Sequence, residues 1–318
     1  MIRNRRSTWS SGDRPKADLH VGEEWEQLSP KEREGAAALR RHFGEEKFAS
    51  AGDLIVPFLR GYAEETSWQG PCFVQQLLAD SLAWRARVGA DGTVTRPPPG
   101  QLKFEQIYQA GPVGRDAEGR AVVLERIGRI PASVLCATYD EESIVPHGVF
   151  VKEAARALCR DLSERAQRRL YKVVMVIDFK GVGTQHTSIE FLRFFRAYNN
   201  QFNVNYPEFM SNCYVINAPY FVVALWSVVK HWLDPRTVAK VDILGGESSY
   251  TKVFERRGIT FDVPIETATL SWLASSRALA DPTRPPPTPF VPEADRPFLE
   301  ARPRRGLVSS VPPAYPVP

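Results

Sequence analysis

The residues that most often perform chemistry are loosely placed in this chain. Asp178, His186 and Ser188 lie close together, but their spacing fits no nucleophile elbow, in which a serine sits on a sharp strand-to-helix turn. Gly181-Val-Gly183 lacks the third glycine of a dinucleotide-binding loop. The five histidines offer no paired His/Cys spacing, so a metal site is not expected. Cys72, Cys136, Cys159 and Cys213 are widely separated without a C-x-x-C, and read as free thiols in a reducing compartment. Asp178 reads as a structural acid at a strand end. Nothing encourages an enzyme, and no cofactor is expected apart from a bound ligand.

Non-covalent chemistry is better represented. From Ala218 to Leu233, only Ser227, Lys230 and His231 interrupt a run that includes Phe221, Val222, Leu225, Trp226, Val229 and Trp232. A surface helix shows an apolar stripe a little over 100° wide, whereas this one is apolar nearly all round. Two readings stay open: a helix buried between neighbours, or a lid with one face on a lipid pocket and the other meeting a bilayer. A second feature is basic. Lys152, Arg156 and Arg160 are four apart, followed by Arg165, Arg168, Arg169 and Lys172. Such a row is a solvated face or a docking surface for anionic lipid, worth ~1 kcal/mol per residue near the bilayer.

The elements that must position these features follow from periodicity. Ser29-Pro30-Lys31-Glu32 caps a helix running through about Phe43, with Gly44 as its stop. Helices are expected over Leu54–Glu65 and Pro71–Arg87, then a proline-rich linker from Gly92 to Gly100. Beyond it, strand and helix alternate: strand Ala121–Arg126, helix Phe150–Leu170, strand Lys172–Asp178, helix Ile189–Phe202, strand Cys213–Asn217, lid Tyr220–Leu233, strand Val241–Leu244. Short links between them imply right-handed crossovers and parallel strands, with Lys172–Asp178 buried on both faces. The expected divisions are a disordered basic arm (1–22), a helical subdomain (23–90), an α/β domain (101–277) and a disordered tail (281–318) with twelve prolines in 38 residues.

Composition sets the outer limits. The chain has 318 residues, 43% hydrophobic and 25% charged, enough to enclose a ligand in one core. A net charge of +4 is too weak to suggest a nucleic-acid binder. No stretch reaches the ~18 apolar residues of a membrane span.

An ordered set of motifs narrows this further: Phe58-Leu-Arg60, Trp84-Arg85, Asp116-x-x-Gly-Arg120, Val176-Ile-Asp-Phe-Lys-Gly181, Asn203-Val-Asn-Tyr-Pro-Glu208, Cys213-Tyr-Val-Ile-Asn-Ala-Pro219, Leu233-Asp-Pro235 and Val238-Ala-Lys-Val-Asp-Ile-Leu244. From about Ala51 to Tyr250 the chain resembles the CRAL-TRIO family, and within it the fungal phosphatidylinositol/phosphatidylcholine transfer proteins. The resemblance implies N-terminal helices packed on an α/β domain with a mixed, mainly parallel sheet, a deep apolar pocket and a gating helix. It places the gate at Tyr220–Leu233, including Phe221, Val222, Leu225, Trp226 and Val229. It implies that one membrane lipid is buried and transferred. At ~0.8 kcal/mol per buried CH₂, a dry pocket can compete with a bilayer.

The resemblance also implies a phosphoinositide head-group site at Glu208, Thr237 and Lys240, with Arg60 from the F-L-R helix. The family's basic pair just after that motif falls on Tyr62 and Ala63. The expected apolar wall is Val123, Val173, Met175, Ile177, Phe191, Phe195 and Tyr198. The family's choline-lipid site corresponds to positions near Pro112, Val123, Val173 and Met175, where no polar handle remains. A buried zwitterion there lacks partners, at ~1–3 kcal/mol per unsatisfied group. Phosphatidylinositol, or a more apolar guest such as a sterol or fatty-acyl lipid, is therefore expected over phosphatidylcholine. The expected protein is a cytosolic monomer, peripheral to membranes, that transfers lipid; the alternative is a lipid-sensing adaptor presenting its cargo to a partner.

Overall fold

Ser29 caps the first helix: its hydroxyl accepts from the Glu32 N–H at 3.1 Å, and Glu32 Oε2 accepts from the Ser29 N–H at 2.7 Å. The computed structural model describes residues 28–281, apart from residues 63–65, 69, 71, 233 and 234. The expected basic arm lies outside the described residues, as does the proline-rich tail beyond Asp281. Helix α1 (Pro30–Ala51) does not stop at Gly44 as expected. The glycine, at φ 76°, kinks the chain and a second segment continues to Ala51. Helices α2 (Ile55–Tyr62) and α3 (Phe73–Val88) close around Leu39, Phe58, Leu59 and Leu78. Gly89, in the left-handed conformation, ends α3.

Helix α4 (Gln101–Ile107) leads into strand β1 (Ala110–Arg115), which no sequence pattern announced. Its Gly111-Pro112 pair is a poor strand former, and a bulge between Pro112 and Gly114 accommodates it. Strand β2 (Ala121–Glu125) stops one residue short of expectation. There the Arg126 side chain turns to donate to the carbonyls of Ile265 (2.7 Å) and Ala268 (2.9 Å). Helix α5 (Ala132–Thr138) was also unannounced, and α6 (Val145–Ala166) begins a turn earlier than Phe150. Then come β3 (Val173–Asp178), α7 (Ile189–Asn205), β4 (Met210–Ile216), α8 (Tyr220–Val229), α9 (Pro235–Val238), β5 (Val241–Ile243), α10 (Glu247–Arg256), β6 (Thr260–Phe261) and α11 (Trp272–Ala280).

The six strands are ordered β5-β4-β3-β2-β1-β6. β2 through β5 pair parallel, and β1 pairs antiparallel with both β2 and β6. The sheet is therefore mixed and mainly parallel, as expected. Register puts Val123, Met175, Cys213 and Val241 in one row. That row faces α6 and α7, through Val149, Phe150, Tyr198 and Phe202. The alternate positions Val122, Val174, Val176 and Tyr214 pack on Tyr250 and Phe254 of α10. β3 is thus buried on both faces.

The basic row on α6 is not the solvated face that its spacing suggested. Arg156 reaches Asp53 at 2.5 Å and Glu153 at 3.0 Å. The buried Glu153 also receives Arg85 at 2.7 Å and the Tyr206 hydroxyl at 2.8 Å. Lys152 faces inward and Arg160 remains exposed. Positions four apart in an α-helix drift by ~40°, so the row winds from interior to surface over two steps.

Candidate functional site

Between the α7-facing side of the sheet and α8 lies a cavity of about 520 Å³. Its floor is one face of three parallel strands: Met175 and Ile177 of β3, Cys213 and Val215 of β4, Val241 and Ile243 of β5. These are alternate residues, as the pleat requires. Burial pushes the Cys213 thiol up to about 12, leaving it a neutral part of that floor. One wall is α7, through Phe191, Phe195, Tyr198 and Phe202 at helical spacing. The expected lining residues Met175, Ile177, Phe191, Phe195 and Tyr198 are all on the wall. Val123 and Val173 are not; both are buried in the core beside it. On α6, Gly148 packs so tightly behind α7 that a Cβ there would lie 2.4 Å from the Phe202 ring and 2.7 Å from that of Tyr198.

α8 covers the opening. Val222, Trp226 and Val229 line the cavity at i, i+4 and i+7. Tyr220 is 96% exposed and Phe221 is 42% exposed, so the other side of this apolar helix faces outward. Phe221, expected on the gate, is thus on its outer face. The Leu225 side chain lies outside the described residues.

The carboxylate of Glu208 sits on the cavity wall in the turn after α7, at φ 55°, a left-handed conformation that costs a non-glycine residue energy. Lys172 Nζ donates to its Oε2 at 2.5 Å, and Lys240 Nζ lies 3.2 Å from both oxygens. Burial alone would raise this carboxyl's pKa, but the two ammonium groups more than offset it and hold it below the usual carboxylate range. Glu208, Thr237 and Lys240 share the cavity wall. Arg60 does not join them. It donates to the Tyr171 hydroxyl at 2.8 Å and lies 3.9 Å from Glu32. Two residues were missed. Lys172 braces Glu208, a pairing across 36 residues that no local pattern announces. Arg236 lines the cavity, stacks 5.8 Å from the Tyr62 ring centroid and donates to the Gly61 carbonyl. Tyr62, in place of the family's basic residue, is its platform.

The cavity is less apolar than the sequence suggested. Tyr108, Glu125, Lys152 and Tyr198 all line it, and the Tyr108 hydroxyl donates to Glu125 at 3.0 Å. Pro112, Val123, Val173 and Met175 carry no polar handle, as expected, but polar groups from α4's end, β2, α6 and α7 do reach the cavity. The residues that might have formed a nucleophilic group have other duties. Ser188 caps α7, accepting from Phe191 N–H at 3.2 Å. His186 accepts from Gly183 N–H at 3.1 Å through Nδ1, and its Nε2 contacts the Ile130 carbonyl at 3.0 Å. Asp178 accepts from the Lys180 N–H and from Asn217 Nδ2, both at 2.8 Å.

Residues 107–260 match the CRAL/TRIO domain family. The phosphatidylinositol/phosphatidylcholine transfer protein SFH7 of Arabidopsis thaliana is 28% identical over 180 residues, covering 54% of this chain and 32% of that protein. SFH13 of the same plant is 29% identical over 186 residues, covering 55% and 28%. The SEC14 cytosolic factor of Eremothecium gossypii is 28% identical over 152 residues, 48% of each. A crystal structure of Sfh5 aligns with a TM-score of 0.48 at 17% identity, covering 61% of this chain and 64% of that one. The match spans about a third of the length of the plant relatives. No helix among the described residues is long and apolar enough to cross a membrane.

Proposed function

We propose, from the match of residues 107–260 to the CRAL/TRIO domain family, that the chain takes one membrane lipid, with phosphatidylinositol as the favoured class, into the cavity beneath α8 and transfers it between membranes. One observation carries this reading: a single helix presents Val222, Trp226 and Val229 to the cavity and Tyr220 and Phe221 to the outside. Such a helix can exchange contacts with acyl chains for contacts with a bilayer, which also covers the apolar surface that Tyr220 and Phe221 expose. The protein works from the aqueous side, peripheral to the membrane.

Glu208, Lys240 and Thr237 supply the head-group end. Lys240 offers N–H donors to phosphate oxygens, and the Glu208 carboxylate accepts from inositol hydroxyls while Lys172 braces it from outside the cavity lining. Arg236, stacked on Tyr62 beside them, adds a planar donor set suited to phosphate. The names of the plant and fungal relatives are consistent with this class of ligand.

A vesicle-to-vesicle assay with labelled phosphatidylinositol tests the proposal. Transfer by the unaltered chain, lost in Lys240→Ala with the fold intact, supports it. Binding without transfer turns the reading toward a lipid sensor. Unchanged loading in Lys240→Ala removes that residue from the site.

A further inference from the structure

Lys152 is the one lysine of α6 that lines the cavity, and its side chain is half-buried. Its Nζ lies 6.0 Å from the Phe202 ring centroid and 5.8 Å from that of Phe209. Among the described residues it has no hydrogen-bond acceptor and no ion-pair partner. Glu125 is on the same wall, but one of its oxygens is taken by the Tyr108 hydroxyl at 3.0 Å, and it lies beyond ion-pair reach of Lys152. An ammonium has three N–H donors and no acceptor. Aromatic faces stabilise its charge without satisfying those donors. Charges drawn out of bulk water are ordinarily paired, and this one stands on a cavity wall without such a partner.

A second donor stands beside it. The Tyr198 ring packs 4.7 Å from that of Phe202, so Lys152 and Tyr198 flank the same ring. The Tyr198 hydroxyl also lines the cavity without a hydrogen-bond partner among the described residues. Two donors without partners thus line the same cavity, with a single carboxylate, Glu125, near them and in hydrogen-bond reach of neither. We propose that Lys152, assisted by the Tyr198 hydroxyl, seats an oxyanion of an acyl lipid inside the cavity, at a subsite separate from Glu208 and Lys240. This rests on the reading that the cavity holds a lipid. The oxyanion is either the carboxylate of a free fatty acid or the phosphate of a phospholipid, and both make the same charge-assisted bonds. Burial lowers the pKa of Lys152, and Glu125 partly opposes that shift; a bound oxyanion adds to the opposition and holds the ammonium charged.

The test uses the full chain stripped of lipid and titrated with a pyrene-labelled hexadecanoic acid and the matching alcohol. The acid binds the unaltered chain at least about tenfold more tightly, because a charged hydrogen bond exceeds a neutral one by roughly that factor. In Lys152→Met the two probes bind alike while alcohol binding is retained; Lys152→Arg keeps most of the preference. Equal affinities in the unaltered chain overturn the proposal, and that result does not depend on any variant folding. An unchanged ratio in Lys152→Met also overturns it. Failure of both probes to bind overturns the lipid reading itself and this one with it. Competition against the bound acid separates the sources. Vesicles of phosphatidic acid displacing it where diacylglycerol vesicles do not, only with Lys152 present, identify phosphate. Acid preference without that displacement identifies carboxylate.

Discussion

At one place on the cavity wall, Glu208 holds Lys172 at 2.5 Å and Lys240 at 3.2 Å. At another, Lys152 has rings at 6.0 and 5.8 Å and no acceptor among the described residues. The first site is organised before any guest arrives. Its lysines are already aimed, so a ligand displaces no disorder and gains geometric precision. The second is incomplete, and a ligand there supplies a missing partner. On the proposed function, selectivity has different sources at the two places: shape and register around Glu208, and charge around Lys152. A third cluster of charges, Arg85, Glu153, Arg156 and Asp53, sits away from the cavity and is complete within itself. It holds the N-terminal helices to α6.

The comparison is broken most forcefully at that third cluster. Glu153→Ala leaves Arg85 and Arg156 without their shared carboxylate. Breaking a buried pair in this way costs ~3–5 kcal/mol, and the urea midpoint should fall accordingly; a change within error means that the cluster is not a fastening. Next is Lys240→Ala, which removes a charge-assisted contact worth ~1.5–3 kcal/mol. Phosphatidylinositol loading, read by mass spectrometry of extracted lipid, drops about tenfold or more, while the melting temperature stays close to that of the parent.

A titration sharpens the contrast between paired and unpaired sites. The Glu208 carboxyl is held below its ordinary value. A depressed acid stabilises the fold fully above its unfolded-state pKa, and the benefit is lost as pH falls through the lower folded value. Urea midpoints measured downward from neutral pH should therefore decline below the ordinary carboxylate range, and less steeply in Glu208→Gln. Equal slopes remove Glu208 from the acid sensitivity. The smallest effect is expected at the outer face of α8. Tyr220→Ser, at a 96% exposed position, should leave stability within ~0.5 kcal/mol yet slow lipid exchange with vesicles; an unchanged exchange rate argues against α8 as the membrane contact.

How much of this could be read in the sequence depended on distance along the chain. The apolar run around Val174 and Val176 marked a strand buried on both sides, because that property is written into consecutive residues. The helix over the cavity was recognisable in outline, though all-round apolarity could not say that Val222, Trp226 and Val229 face inward. What escaped were partnerships between distant residues. Arg60 matches its motif, yet Tyr171 and Glu32 hold it away from the cavity. Lys152 and Arg160 share a row, but helical drift and the distant Asp53 decide which way each side chain goes. β1 was missed because Gly111 and Pro112 argue locally against a strand, and only its neighbours on both sides hold it in one.

Gly148 does not line the cavity, yet it sets where part of the cavity wall stands. A methyl group at that position would drive the rings of Phe202 and Tyr198 toward the cavity they line. The absence of a side chain on the far side of an aromatic wall thus sets the width of the cavity. One carbon added on α6 would reshape it without altering a single residue of its lining.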